Sequence, residues 1–389
     1  MTKPVSSRPE SSRTGSGDSP APGGVLGPRA LNRALLARQL LLRRSGLSAY
    51  DALEQLAGLQ AQAPNPPYFG LWTRLADFRQ EQLSQLILER RAVRIALMRS
   101  TIHLVTDRDC LALRPVLQPM LERAFLHSAS GKLFAGLDAP AVAAAGRELL
   151  AREPLTASEL GARLAERWPE RDPAALAAAV RTYVPLAQVP PRAIWGAGGQ
   201  AAHADAEQWL GRPLAADAAP EATIVRYLRA FGPATVKDMQ VWSGLTRLRE
   251  AVDRLRPQLV VFRDEKGGEL FDLPDAPRPH PDTPAPPRFL AEFDNMLLSY
   301  DDRSRIISEA SRARVFTVNG IIRATVLVDG FVRGMWRIDR KRGEAELVVE
   351  LFEPVDDAVR EELAAEGERL LAFAAETAER RAVRFEDSR

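Results

Sequence analysis

The chain has 389 residues, enough for roughly two to four compact units each with its own core. Apolar residues make up 46% and charged residues 27%, as in an ordinary soluble globular protein, and no stretch approaches the ~18 apolar residues of a membrane span. A net charge of only +2 means that overall charge points to no nucleic-acid partner.

Residues 1–28 are rich in Ser, Pro and Gly and hold no apolar core. That argues against a secretory leader and predicts a disordered tail on a cytoplasmic protein. From residue 29 to 135 the pattern is first helical: "LNRALLARQLLLRR", then "SAYDALEQLAGLQAQ" with Ser48 as N-cap, then "FRQEQLSQLILERR". The period turns strand-like in "AVRIALMRSTIHLVT", two short runs joined near Arg99 and Ser100. Helices followed by a two-stranded turn form the outline of a winged helix. The single cysteine, Cys110, lies in a helical pattern with apolar neighbours and reads as a buried small hydrophobe. Alone, it excludes an internal disulfide framework and a multi-cysteine zinc site. The four histidines are too scattered for a metal cluster, so neither metal nor cofactor is expected.

The outline repeats over residues 136–215. Three helices are predicted in "APAVAAAGRELLAREP", "TASELGARLAERWPE" and "DPAALAAAVRTYVPL", the second opened by a Thr156-x-x-Glu159 capping box. The turn "VPPRAIWGAGGQ" falls where a wing would lie. Over residues 216–275 helices precede "FRDEKGGELF", a hairpin about a Lys-Gly-Gly turn. Residues 276–288 form a Pro-rich linker, unsuited to helix or central strand. Residues 289–389 alternate as strands with an Asp329-Gly330 hairpin turn and close in a charged helix. The expected fold is mainly α with small β: three tandem winged helix-turn-helix units and a C-terminal β-domain. Trp195, Trp209, Trp242 and Trp336 are expected as core anchors.

Winged helices chiefly place a helix on a DNA groove, though they also serve as protein-interaction modules. Lysine occurs at only five positions, so the other 48 of the 53 basic residues are arginine. Arginine suits bidentate phosphate and base contacts, but a GC-rich genome produces the same bias.

The motifs "LQAQAPNPPYFGLWTRL", "LMRSTIHLVTDRD", "VPPRAIWG", "GPATVKDMQVWSGL", "EFDNMLLSYDDRSRII" and "VLVDGFVRGMWRI", in this order, resemble the AlkZ-like family of bacterial triple winged-helix DNA glycosylases. The resemblance runs from Leu31 to about Phe385. It implies a monofunctional glycosylase, acting as a monomer in the cytoplasm at the nucleoid on double-stranded DNA that carries bulky N7-alkylguanine adducts or crosslinks. It further implies self-resistance to a genotoxic natural product. The family's catalytic signature is glutamine, an apolar residue, then glutamine or aspartate; here it is Gln60-Ala61-Gln62.

The chemistry suits two neutral amides. An N7-alkyl group makes guanine cationic, so it departs as a neutral base without a general acid, through an oxocarbenium-like transition state. What remains is to hold water against C1′ and to donate to a phosphate or sugar oxygen, which an amide can do. Taken by spacing alone, Gln60 and Gln62 read instead as caps at a helix end before the proline break. His103, out of phase with Ile102 and Leu104, faces the other side of its strand. It and Arg99 are candidates for DNA or lesion contact, with a hairpin hydrogen bond as the other reading of His103. Asp294, Asn295, Arg303 and Arg305 form a further candidate DNA-binding set, or else a salt-bridged loop. Two rivals lack catalysis: a winged-helix regulator of a specific operator, and a protein that sequesters the adduct.

Overall fold

Leucines at helical spacing, with Pro28 supplying the fixed φ that suits a first turn, form α1 (Pro28–Arg38). In the computed structural model, which describes residues 23–387, α1 is buried for most of its length, polar side chains included. Arg38 pairs with Asp272 at 2.7 Å, both side chains fully buried. Asn32 donates to the carbonyls of Arg305 and Gly330, and Arg33 pairs with Asp329. The expected tail lies outside the described residues as far as residue 22. Its end is structured, because β1 (Val25–Leu26) joins a sheet directly before α1.

α2 (Ala49–Gln55) starts at Ser48, whose side chain accepts from the Asp51 N–H as an N-cap should. Then come β2 (Leu59–Gln60), α3 (Pro66–Trp72), α4 (Gln80–Leu88), and the antiparallel pair β3 (Ala92–Ala96) and β4 (Ile102–Thr106). α5 (Asp107–Leu126) follows, and Cys110 on it is fully buried, its thiol pushed up to about 12 by desolvation and so inert.

The next region holds α6 (Ala129–Phe134), α7 (Ala139–Leu150), β5 (Leu155–Thr156), α8 (Ala157–Ala165), α9 (Pro173–Tyr183), β6 (Leu186–Gln188), β7 (Ala202–Asp205) and α10 (Ala206–Leu210). Both halves of the Thr156–Glu159 capping box are made. Rather than standing alone, β6 pairs with β3, so that the six strands run β2-β4-β3-β6-β7-β5 in one sheet. This region keeps its own apolar core around Phe134, Leu160, Leu176 and Val180.

α11 (Glu221–Phe231), α12 (Val236–Ser243) and α13 (Arg249–Leu255) precede the hairpin β8 (Val260–Asp264) and β9 (Glu269–Asp272). β1 adds to β8 in parallel. The Pro-rich linker is strapped to α1: Arg29, Arg33 and Arg38 donate to the carbonyls of Pro281, Thr283 and Pro277. β10 (Arg288–Leu290) then opens a five-stranded sheet with β11 (Thr325–Val328), β12 (Phe331–Lys341), β13 (Glu344–Leu351) and β14 (Arg380–Asp387), α14 (Glu309–Val315) lying between β10 and β11. The expected closing helix is α15 (Asp357–Ala374), but the chain continues past it. It returns as β14 in parallel with β13 over eight residue pairs, a pairing that only the crossover through α15 makes reachable.

The architecture is thus mainly helical with small sheets. One large core joins the first region, the third and the C-terminal sheet. Trp242 is buried in it, with Trp195, Trp209 and Trp336 packed against it as expected. Among the described residues no helix is long and apolar enough to cross a membrane.

Candidate active site

The Gln-x-Gln segment starts on the last residue of a short strand and runs out of it. After α2 the chain reverses through Ala57 and Gly58 at φ 54° and 84°. A Cβ on Gly58 would stand 2.5 Å from Val105 Cγ1 and 3.0 Å from the Leu104 carbonyl oxygen. Only glycine combines that φ with so close an approach to β4. Leu59 and Gln60 then pair with Leu104 and His103, and the Ala61 N–H extends the ladder to the Ile102 carbonyl at 2.8 Å. Gln60 is the last residue of β2 and is buried, Ala61 is fully buried, and Gln62, past the strand's end in a bend, is exposed. The helix-capping alternative is therefore corrected: the N-cap of α3 is Asn65, without a side-chain cap bond, and the glutamine Oε1 atoms bond Arg99 and the Ile102 N–H instead of a helix end.

Gln60 is 7% exposed, and its Oε1 accepts from Arg99 Nη2 at 2.8 Å. A guanidinium can only donate, so this bond fixes the amide with its oxygen inward. The same Arg99 donates through Nη1 to the Trp242 carbonyl at 2.7 Å, and Nη2 lies 3.4 Å from His103 Nε2. His103 must therefore present a bare lone pair at Nε2. Its Nδ1–H donates to the Thr101 carbonyl at 3.1 Å. Burial, then the charge of Arg99, holds the imidazole down to about 3, so it stays neutral at physiological pH. Arg99 sits at φ 56° in the tight turn between β3 and β4. Burial, then the charge of Arg303, lowers its guanidinium to about 10.

Gln62 is exposed, and its Oε1 accepts from the Ile102 N–H at 3.2 Å. Between the two glutamines, the Ala61 carbonyl accepts from Arg94 Nη2 at 2.6 Å. Arg94 is 2% exposed and pairs with no carboxylate among the described residues, and burial lowers it to about 10. Main-chain bonds, the buried guanidinium of Arg94 and the half-buried one of Arg99 thus pin the motif from below.

The other candidates divide. Asn295 is buried and donates from Nδ2 to the Gly58 carbonyl at 3.0 Å, so it supports the turn into β2. Asp294 is buried beside it, accepting from Arg74 at 2.9 Å and from the Met296 N–H at 3.0 Å. Both lie under the site and present no surface to a duplex. Arg305 is likewise buried, with Nη1 on the Pro233 carbonyl at 2.8 Å and the guanidinium 4.2 Å from the Tyr300 ring centre. Arg303 differs: its guanidinium, half-buried over the Phe316 ring, makes no hydrogen bond or ion pair closer than 4 Å among the described residues. Asp301 and Glu309 act on it from farther off, and its charge reaches Arg99. The structure thus brings Gln60, Gln62, Arg99 and His103 together, with Arg303 near by. It assigns Asp294, Asn295 and Arg305 to the scaffold. His103, fully buried with its ring nitrogens on Arg99 and the Thr101 carbonyl, presents no surface to DNA and bears the structural reading instead.

Sequence reasoning missed Arg94, Arg74 and the Trp242 carbonyl. A lone arginine inside the apolar run "AVRIAL" was a signal for Arg94; a main-chain acceptor on a distant helix leaves none. Chemically, the face offers amide donors and acceptors and no group that titrates near neutrality. Neither glutamine hydrogen-bonds to a carboxylate among the described residues. Such a site positions and polarises; it does not exchange protons.

The chain is similar to known proteins in sequence and in fold. The sequence model of the AlkZ-like DNA glycosylase family matches residues 53–373. Among solved structures, the DNA glycosylase AlkZ of Streptomyces sahachiroi superposes with a TM-score of 0.76 at 22% identity, covering 93% of this chain and 100% of that one. At that identity the likeness speaks for the fold. No curated protein sequence matches the chain significantly.

Proposed function

The chain belongs to the AlkZ-like DNA glycosylase family, and from that premise we propose that it hydrolyses the N-glycosidic bond of bulky N7-alkylguanine adducts in double-stranded DNA, with Gln60 and Gln62 as the catalytic pair. The carrying observation is the Gln-x-Gln segment beside the β3–β4 turn: Gln60 accepts from Arg99 and Gln62 from the Ile102 N–H, and the imidazole bonded to Arg99 stays neutral.

The substrate supplies what such a site lacks. Alkylation at N7 places a positive charge on guanine. As the C1′–N9 bond breaks, its electron pair neutralises that charge and the base leaves without protonation. A water oxygen bonds to C1′ and its proton passes to solvent, leaving an abasic sugar. The transition state carries oxocarbenium character, so the protein's part is to align water and nucleotide. Hydrolysis by water, with no amine nucleophile on the face, makes the enzyme monofunctional.

We read residues 29–135, 136–215 and 216–275 as three tandem winged-helix units, joined through the linker 276–288 to a C-terminal β-domain over 289–389. In support, each of the three regions carries helices ahead of an antiparallel strand pair, β3–β4, β6–β7 and β8–β9. The protein would act as a monomer in the cytoplasm, at the nucleoid. Unhooking of crosslinks and self-resistance to a genotoxic natural product belong to the same proposal.

The test incubates purified full-length protein with a duplex carrying one N7-alkylguanine and measures free base. Release of the alkylated base, leaving an intact abasic strand, supports the reading. Tight binding without release would overturn it in favour of a sequestering protein, and tight preference for one undamaged sequence in favour of a regulator.

A further inference from the structure

The two glutamines are chemically unequal, and Arg99 makes them so. Gln60 Oε1 accepts a charge-assisted bond from the guanidinium, which draws electron density away and leaves it a poor acceptor for water. Its Nε2 is thereby the amide atom turned away from Arg99. Gln62 Oε1 accepts only from a neutral backbone N–H at 3.2 Å, and a carbonyl oxygen has a second lone pair. Arg99 cannot turn aside. Its Nη1 is fixed by the Trp242 carbonyl at 2.7 Å, and the lone pair of neutral His103 flanks Nη2 at 3.4 Å. It holds this place from a left-handed φ of 56°, a conformation unfavourable for a residue with a Cβ and kept only where the surroundings impose it.

We infer that Arg99 is a positioning residue for base release: it locks Gln60 with its amide nitrogen outward as the donor to a phosphate oxygen beside the target nucleotide, and so leaves the acceptance of water to Gln62. The inference rests on the catalytic reading of the pair given above. A phosphate is the partner that the charges favour. Arg99 carries a cation, and the charge of Arg303, itself within reach of Asp301 and Glu309, acts on it. The phosphates of the DNA backbone are the anions that positive charge at this turn attracts.

Charge-changing isosteres separate the two roles. Single-turnover release of N7-methylguanine from a duplex would be measured, with duplex affinity and thermal stability recorded in parallel. Gln60→Glu replaces the outward donor with an acceptor that repels phosphate, and should slow release by about 10²-fold. Gln62→Glu retains an acceptor for water and should stay within about 10-fold of the parent. Arg99→Lys supplies a point charge that cannot serve the same three acceptors, and should slow release by about 10- to 100-fold. Combined with Gln60→Ala it should cost little more than Gln60→Ala alone, because the two act as a unit. A merely structural Arg99 would instead lower stability and act independently of Gln60. If Arg99→Lys fails to fold, the Gln60→Glu and Gln62→Glu contrast still decides. A parent protein that releases base while Gln60→Glu is active and Gln62→Glu is dead overturns this inference alone. A parent protein that releases none overturns the catalytic reading beneath it.

Discussion

Asn295 reaches across more than two hundred residues of sequence to donate its side-chain N–H to the Gly58 carbonyl at 3.0 Å. That bond ties the segment leading out of the C-terminal β10 to the turn that launches the Gln-x-Gln strand. Both partners are buried, so removing the donor leaves a carbonyl without water or protein to satisfy it. Asn295→Ala should cost about 1–3 kcal/mol of stability. It should also lower the rate of base release, since β2 is then less firmly set. Urea denaturation alongside single-turnover release checks both, and an unchanged rate at reduced stability would show that the tie matters only for folding.

Gly58→Ala makes a stronger demand on the same turn. The φ of 84° disfavours any Cβ, and this one would press on Val105 at 2.5 Å. The left-handed conformation alone costs on the order of 1 kcal/mol, and the clash adds to it. Loss of at least about 2 kcal/mol is expected, with release of alkylguanine falling as β2 is pushed off β4. Denaturation midpoints measure the first and excision assays the second.

These contacts also show how far the sequence could be read. Periodicity exposed α1, α7–α9 and α11–α13, because each buries one apolar stripe. The hairpins at Arg99–Ser100, Lys266–Gly268 and Asp329–Gly330 were legible because turn chemistry is local. The Gln-x-Gln motif was legible as a motif but misplaced at a helix end, since only two residues of β2 pair and their partner strand lies some forty residues on. β14 was missed because "RRAVRFED" is charged, and its pairing with β13 depends on the crossover through α15, which contacts both strands. Asp294 and Asn295 looked like surface chemistry because polar residues in a loop usually are. Here they are buried, held by Arg74 and Gly58, and no local pattern announces a partner two hundred residues away.

Alanine replacement of the glutamines distinguishes positioning from packing. Gln62 is exposed and spends one weak bond on the Ile102 N–H, so Gln62→Ala should change stability by no more than about 1 kcal/mol. Gln60 is itself buried, and Gln60→Ala strips an acceptor from half-buried Arg99, so it should cost somewhat more, about 1–3 kcal/mol. Each should slow release by about 10²-fold, the cost typical of a single preorganised contact. Duplex affinity should stay within about threefold, since one neutral contact adds little to phosphate-dominated binding. Undiminished excision by stable, DNA-binding variants would remove these residues from the chemistry.

The buried histidines set the response to pH. His103 is held down to about 3, by burial and then by Arg99, and His203 to about 4, by burial and then by Arg181. Free histidine titrates near 6.5, so between that value and the folded one the unfolded chain binds protons that the native protein refuses. Stability must then fall as pH falls from about 6.5, by at most about 1.4 kcal/mol per pH unit for each histidine, and the loss levels off below about 3 to 4. His103→Gln should flatten the slope of unfolding free energy against pH across that window, whatever it does to the absolute value. A slope that is unchanged would mean that the imidazole is protonated in the native state and that Arg99 is bonded elsewhere. Catalysis should ignore the same window. With His103 neutral above about 3 and Arg99 charged below about 10, the glutamine face holds one protonation state from pH 5 to 9. Single-turnover release from N7-alkylguanine DNA should be level across that range. An acid or alkaline limb near 6 or 7 would require a titrating acid or base that two amides cannot supply.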